Sequence, residues 1–185
     1  GGEWIKRNVV ETLNFNGQFE DQPTESWMKY QDLTHGQAND FTAYLLDKEK
    51  PTKKEIEQCR EMVRFCEDQF TYWDTVVGPE GYKTMLTPCV FEQYNYQTPI
   101  DASDVEMANS YLSLYSVTGD KLALAKGKAL VDAAVKSQSP LTGILSTKWF
   151  FNPEVPYSRR THWINCAMAS VQVLERFARM TGEIE

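Results

Sequence analysis

The sequence predicts an all-α domain of antiparallel helical hairpins, and three observations support this fold class. Apolar residues recur at spacings of three and four in several segments, which is the period of an amphipathic helix. Two of these segments end in the same Thr-Gly-acid stop, at residues 118–120 and 181–183. No run alternates between apolar and polar residues over enough positions to predict a substantial sheet. We therefore expect helices that pack in antiparallel pairs.

The start of the chain lacks a sustained period. Residues 1–34 carry several aromatic side chains, and we expect a short helix or strand near Trp4–Leu13, followed by a long aromatic loop. The first clear helix should run from His35 to about Leu46, with Thr34 as its cap. Its inward residues are predicted to be Ala38, Phe41, Leu45 and Leu46.

The next helix should begin at Thr52, because Glu55 lies three residues further on and completes the spacing of a capping box. Its apolar residues form the clearest helical stripe in the chain. They are Ile56, Cys59, Val63, Cys66, Phe70 and Trp73. The Gly and Pro residues of segment 78–88 predict a loop after it.

Two helices should then form a direct hairpin. The first runs from the Asp-Ala-Ser-Asp segment at 101–104 to about Val117, and Gly119 ends it. Its inward residues are predicted to be Val105, Ala108, Leu112 and Tyr115. The second runs from Lys121 to about Gln138, with an inward face of Leu122, Ala125, Ala129, Leu130 and Ala133.

The last helix should follow an irregular aromatic stretch at 139–160 and run from Thr161 to about Met180. Its predicted inward residues are Ile164, Ala167, Met168, Val171, Leu174 and Ala178. The shared Thr-Gly-acid stop is either chance or the mark of a repeated hairpin. If the stop marks a repeated hairpin, the last helix lacks a second helix like the one that follows residues 118–120. The last helix then belongs to a larger array or packs on the first segment of the chain. If its apolar face stays unpaired, this face would favour self-association.

Composition argues against several classes of partner and site. With 26 acidic and 19 basic residues the net charge is −7, which argues against a nucleic-acid partner. No apolar run approaches the roughly 18 residues that predict a membrane span. The four cysteines form no C-x-x-C pair and there are two histidines, so we expect buried cysteines and neither a metal site nor a cofactor. Gly1-Gly2 is typical of a cloning remnant; a periplasmic or secreted location fits if a leader was removed.

The hairpin pattern resembles the six-hairpin, or (α/α) toroid, families of carbohydrate-active enzymes. The residues that carry the resemblance are the Leu-Tyr-Ser-Val-Thr-Gly-Asp link at 114–120, Gln138, and the His-Trp-Ile-Asn segment at 162–165. The resemblance extends over residues 34–183. A complete toroid has about twice as many helices as this chain, so it implies one helical domain over 1–185 that is a partial toroid, or a fragment whose partner half is missing.

The resemblance implies cleavage of glycosidic bonds, which needs two carboxyl groups, one as acid and one as base or nucleophile. Asp101 and Asp104 are favoured because they start a helix beside an aromatic strip. We predict Asp101 as the base, because the helix N-terminus lowers a carboxylate pKa, and Glu92 as the acid. The alternative for both aspartates is simple helix capping. Further acidic candidates are Glu20, Asp21 and Asp40.

Other residues are candidates for sugar binding. His35 and His162 follow loops at helix starts, where each could carry a proton or bind a sugar hydroxyl, or act as a capping residue. Arg159 and Arg160 could bind a uronate carboxylate, or be a solvated pair of charges. Aromatic rings stack on sugar faces, and the alternative is packing between hairpins. The candidate rings are Tyr94, Tyr96, Trp149, Tyr157 and Trp163.

The sequence thus predicts a glycoside hydrolase that acts on a carbohydrate substrate, with a lean toward acidic sugars. A polysaccharide lyase, a non-catalytic carbohydrate-binding module and a helical interaction scaffold are the alternatives. An enzyme should lose turnover on Asp101→Asn but keep binding. A binding module should lose affinity on Trp149→Ala or Trp163→Ala, and a scaffold should not bind sugars.

Overall fold

The computed structural model describes residues 2–11, 35–74, 86–92, 99–149 and 162–182, and these are mostly helical, which confirms the all-α prediction. The helices are α1 (Gly2–Ile5, continued by a π-helical segment Lys6–Val10), α2 (Gly36–Leu46), α3 (Lys53–Phe70), α4 (Asp101–Thr118), α5 (Lys121–Lys136) and α6 (Ile164–Thr181). Two short strands, β1 (Thr71–Tyr72) and β2 (Cys89–Val90), pair antiparallel. No helix in this described part is long and apolar enough to cross a membrane.

Helices α2 and α4 lie side by side and run in the same direction. Near their first turns, His35 Nδ1 lies 3.6 Å from Glu106 Oε2. Near their last turns, Ser113 Oγ donates to Asp47 Oδ1 over 3.4 Å. The first contact joins the early parts of the two helices and the second joins their later parts. Helices α2 and α4 are therefore parallel neighbours.

Helix α6 joins the same layer on the other side of α4. Thr147 holds the two helix starts together, because its carbonyl accepts from the Asp101 N–H and its hydroxyl accepts from the Trp163 N–H. Further along, Arg176 Nη1 donates to Asn109 Oδ1 and to Ser113 Oγ. Helices α2, α4 and α6 therefore form one parallel layer, which we call the inner layer, and all three begin at one end.

Helices α3 and α5 cover this layer and run in the opposite direction. The Cys59 thiol lies 3.9 Å from the Thr42 carbonyl, and the Cys66 thiol lies 3.6 Å from the His35 carbonyl, so α3 is antiparallel to α2. Helix α5 turns back on α4 directly after Gly119, which has a φ of 70°. One hydrophobic core lies between the two layers.

Local signals in the sequence place most helix boundaries correctly. Thr52 and Glu55 form the predicted capping box at the start of α3. Gly119 and Gly182 both end their helices in the left-handed region, where glycine alone lacks a Cβ penalty. The four cysteines are buried and free, as predicted. The short β1–β2 ladder was not predicted.

The predicted inward face is wrong in part for α5 and for most of α6. In α5 the predicted Leu130 and Ala133 are buried, but Leu122 is 63 % exposed, and Ala123 and Gly127 are buried in its place. A Cβ on Gly127 would lie 3.2 Å from Leu112 Cδ2, so the glycine allows α5 to approach α4 closely and sets its rotation. In α6, the buried residues are Cys166, Ser170, Val173 and Phe177, and Ile164, Met168 and Val171 face outward.

Candidate functional site

Three carboxyl groups gather at the end where the inner layer begins. Glu106 lies in the second turn of α4, Asp40 in the second turn of α2, and Glu92 two residues after β2. Glu106 and Glu92 are half-buried, whereas Asp40 is exposed. The parallel packing of α2 and α4 brings residues together that are more than sixty positions apart in the sequence. We call Asp40, Glu92 and Glu106 the acid cluster.

The acid cluster holds a proton on Glu106 at neutral pH. Burial, and then the negative charges of Asp40 and Glu92, raise the pKa of Glu106 to about 8. Partial removal from water also raises the pKa of Asp40, but its exposed position favours the charged form. The cluster thus combines the protonated Glu106 carboxyl with the exposed Asp40 carboxylate.

His35 borders the cluster but does not take the proton from Glu106. Its side chain is buried, and this burial lowers its pKa to about 4. The Asn39 amide donates to His35 Nδ1 over 3.0 Å, and Asn39 Oδ1 accepts from the Ser110 hydroxyl over 2.8 Å. His35 is therefore neutral and fixed in orientation. This corrects the expectation of a histidine that carries protons near neutral pH.

Asp101 and Asp104, the predicted base and its neighbour, form a separate buried pair in the first turn of α4. Both are fully buried, and Ile100 rather than either aspartate is the N-cap. Burial raises the pKa of Asp101 to about 7, partly offset by the Ala102 N–H, the Ser170 hydroxyl and His162. Burial and the charge of Asp101 raise the pKa of Asp104 well above its ordinary value.

The pair corrects the predicted roles of these aspartates. We expected the helix N-terminus to lower the pKa of Asp101, but the loss of hydration on burial outweighs the helix dipole. Within the described part of the chain, neither carboxyl oxygen of Asp104 has a hydrogen-bond partner. Because both side chains are fully buried and neither caps the helix, the structure gives them a buried position instead of the predicted base and capping roles.

We predict that this pair makes the fold less stable as pH rises. An unfolded aspartate has a pKa near 3.8, whereas Asp101 in the fold has a pKa of about 7, so the folded state binds more protons between these values. The stability is complete below the lower value and declines by about 4 kcal/mol up to the higher one. Asp101→Asn should remove this decline. The free energy of unfolding of the variant should therefore rise relative to that of the wild type as pH increases.

Urea unfolding of wild type and Asp101→Asn across this interval measures the difference. Asp120→Asn is the control with the opposite sign, because the Arg60 side chain lowers the pKa of Asp120. That variant should lose stability at neutral pH and match the wild type in acid. A difference between Asp101→Asn and wild type that does not change with pH would contradict the prediction.

The tryptophan candidates differ in exposure. Trp149 was predicted as a sugar platform, but its ring is fully buried in the core, and its Nε1 donates to the Ser146 carbonyl over 2.9 Å. The structure therefore gives it a packing role. Trp163 is 39 % exposed at the start of α6, with Lys148 Nζ 5.7 Å from its ring centroid. Its side chain is therefore partly open to solvent.

His162 is exposed, and its Nδ1 lies 2.7 Å from the Leu145 carbonyl. Because a carbonyl only accepts, Nδ1 is the donor in this contact. The remaining candidates lie outside the described residues: Glu20, Asp21, Tyr94, Tyr96, Tyr157, Arg159 and Arg160.

Sequence reasoning missed Glu106. It selected acids in loops and at helix starts, whereas Glu106 stands between the buried residues Val105 and Met107 in the middle of a helical turn. Its altered pKa depends on α2, which no local pattern connects to α4. The one available signal was a carboxyl side chain set between two apolar residues inside a predicted helix.

Within the described ranges, no group of three His, Cys, Asp or Glu side chains has the arrangement of a metal site. The chain as a whole was compared with protein-family models, curated proteins and solved structures, and none of the three comparisons found a match.

Proposed function

We propose that this chain is part of an (α/α) toroid of the carbohydrate-active type and that its acid cluster cleaves glycosidic bonds. The parallel inner layer and antiparallel outer layer support the toroid, because successive hairpins in that arrangement curve around a shared inner face. The sequence resemblance over residues 34–183 supports the same assignment.

The observation that carries the proposed activity is the protonated Glu106 beside charged carboxylates. Cleavage of a glycosidic bond needs a general acid for the leaving oxygen and a carboxylate for the opposite side of the ring. Glu106, with a pKa of about 8, holds its proton at neutral pH and supplies the acid. Asp40 is the proposed base or nucleophile. Glu92, which the sequence predicted as the acid, is instead proposed to raise the pKa of Glu106 through its negative charge.

Ligand binding tests the proposal before any turnover is known. We expect the melting temperature of a Glu106→Gln chain to rise with one class of oligosaccharide from a panel of neutral and uronate-containing sugars. The variant binds without consuming its ligand, and binding to the native state raises the melting temperature with the logarithm of concentration. The absence of a shift with every sugar at millimolar concentration would overturn the proposal.

The control for this screen is a charge reversal within the site. Asp40→Lys should abolish the shift, whereas Glu49→Gln, at an exposed turn between α2 and α3, should leave it unchanged. A shift that survives Asp40→Lys would place sugar binding elsewhere on the chain. If turnover is found, an unsaturated uronate product, recognised by its ultraviolet absorbance, would identify a lyase rather than a hydrolase.

A further inference from the structure

Helix α6 carries an apolar face that the described part of the chain leaves uncovered. Ile164 is 80 % exposed, Met168 60 % and Val171 57 %. Their spacings of four and three put them on one side of the helix. We call these three residues the α6 apolar face. Three large apolar side chains in a row are typical of a contact surface rather than of scattered surface residues.

The hairpin repeat indicates what kind of element fits this face. Helices α4 and α6 both have 18 residues and both end in Thr-Gly with glycine in the left-handed region. Counted from the helix start, Met168 and Val171 occupy the positions of Val105 and Ala108. On α4 these residues are buried, and Gly127 of the antiparallel helix α5 packs over Ala108 and Leu112. The first half of α6 therefore carries an apolar side where α4 receives an antiparallel helix, and this side ends at Glu175, the counterpart of Leu112.

We infer that the α6 apolar face binds α6 of a second copy of this chain. A two-fold axis across a helix places its copy antiparallel to it, which is the orientation that α5 has on α4. Met168 then packs against Val171 of the second copy, and each copy covers the exposed residues of the other. The face thus supplies its own complement, as an isologous interface requires.

The charges along α6 fit this antiparallel contact. Residues 164–174 contain no charged side chain, so none meets its own copy near the two-fold axis. Glu175 follows this neutral stretch and reaches the N-terminus of the second α6, where the helix dipole is positive. Lys148, which lies over the Trp163 ring at that end, adds a positive charge. A parallel pair would instead bring the two Glu175 side chains together.

Sedimentation equilibrium of the full chain tests the inference. A single pair of helices buries little area, so we expect a reversible dimer between micromolar and millimolar protein. Met168→Glu and Val171→Lys should each weaken the dimer at least about tenfold, because each buries an unpaired charge. Glu61→Lys, an exposed change on α3, should leave it intact. A wild-type chain that stays monomeric at millimolar concentration would overturn the inference.

A mixture of the two charged variants tests the antiparallel geometry. In an antiparallel dimer, Glu at position 168 of one chain faces Lys at position 171 of the other, so equimolar Met168→Glu and Val171→Lys should form a heterodimer. Circular dichroism of each variant establishes that it remains folded. Two folded variants that stay monomeric when mixed would contradict the antiparallel contact, and a dimer unaffected by either variant would place the interface on another surface.

Discussion

We expect Trp149→Ala to lower the free energy of unfolding by about 3–5 kcal/mol, because it removes the largest fully buried side chain among the described residues. The loss combines apolar burial with a cavity that the surrounding core closes only in part. In the wild type the indole N–H donates to the Ser146 carbonyl over 2.9 Å, and the substitution leaves this carbonyl without its donor. Since domains of this size are stable by only about 5–15 kcal/mol, this is a large fraction of the total.

Urea unfolding followed by circular dichroism measures this change. Trp149→Phe retains a ring but not the N–H, so its loss should lie between those of wild type and alanine. Trp163→Ala is the matched control, because a partly exposed tryptophan should change stability far less. Equal losses at positions 149 and 163 would contradict the burial that separates these two residues.

This result also decides how a sugar-binding defect is interpreted. Loss of binding in Trp149→Ala would follow from damage to the core, and it would not distinguish a binding module from an enzyme. Trp163→Ala, whose ring reaches solvent, remains the informative variant for stacking against a sugar.

Helix boundaries were predictable because their signals are local. The Thr52–Glu55 capping box and the glycines after Thr118 and Thr181 act within one turn of the chain, so a single sequence is sufficient to recognise them. The rotation of α6 was not predictable in this way. Its most apolar stripe faces outward, whereas a face with Cys166 and Ser170 is buried on the side that packs against α4, because small side chains allow close approach.

The candidate site was less predictable than the fold, because burial controls its electrostatics. At Asp101 the sequence showed a helix start and hence a lowered pKa, but the surrounding core raises the pKa instead. At Glu106 the decisive neighbour is Asp40, which lies on another helix. Such pairings depend on which helices pack together, and a periodicity pattern contains no information about that.

If Glu106 is the general acid of the proposed reaction, Glu106→Gln should lower turnover by about 10²–10⁴-fold on a natural glycoside. Its pKa of about 8 fixes the sign of the pH dependence: the wild-type rate falls as pH rises through this value and the proton is lost. The variant should lack this alkaline limb. Glutamine resembles the protonated glutamate in shape and charge, so the melting temperature at neutral pH should remain that of the wild type.

Substrate choice separates an acid from a structural residue. An activated aryl glycoside has a leaving group that departs without protonation, so Glu106→Gln should keep close to the wild-type kcat/KM for it, since kcat/KM reports the steps up to cleavage of the bond. Asp40→Asn should lose kcat/KM for both substrates, because the base or nucleophile is needed whichever group departs. An equal loss of kcat/KM for both substrates in Glu106→Gln would contradict the role as acid, since a defect in folding or binding reduces the two values alike.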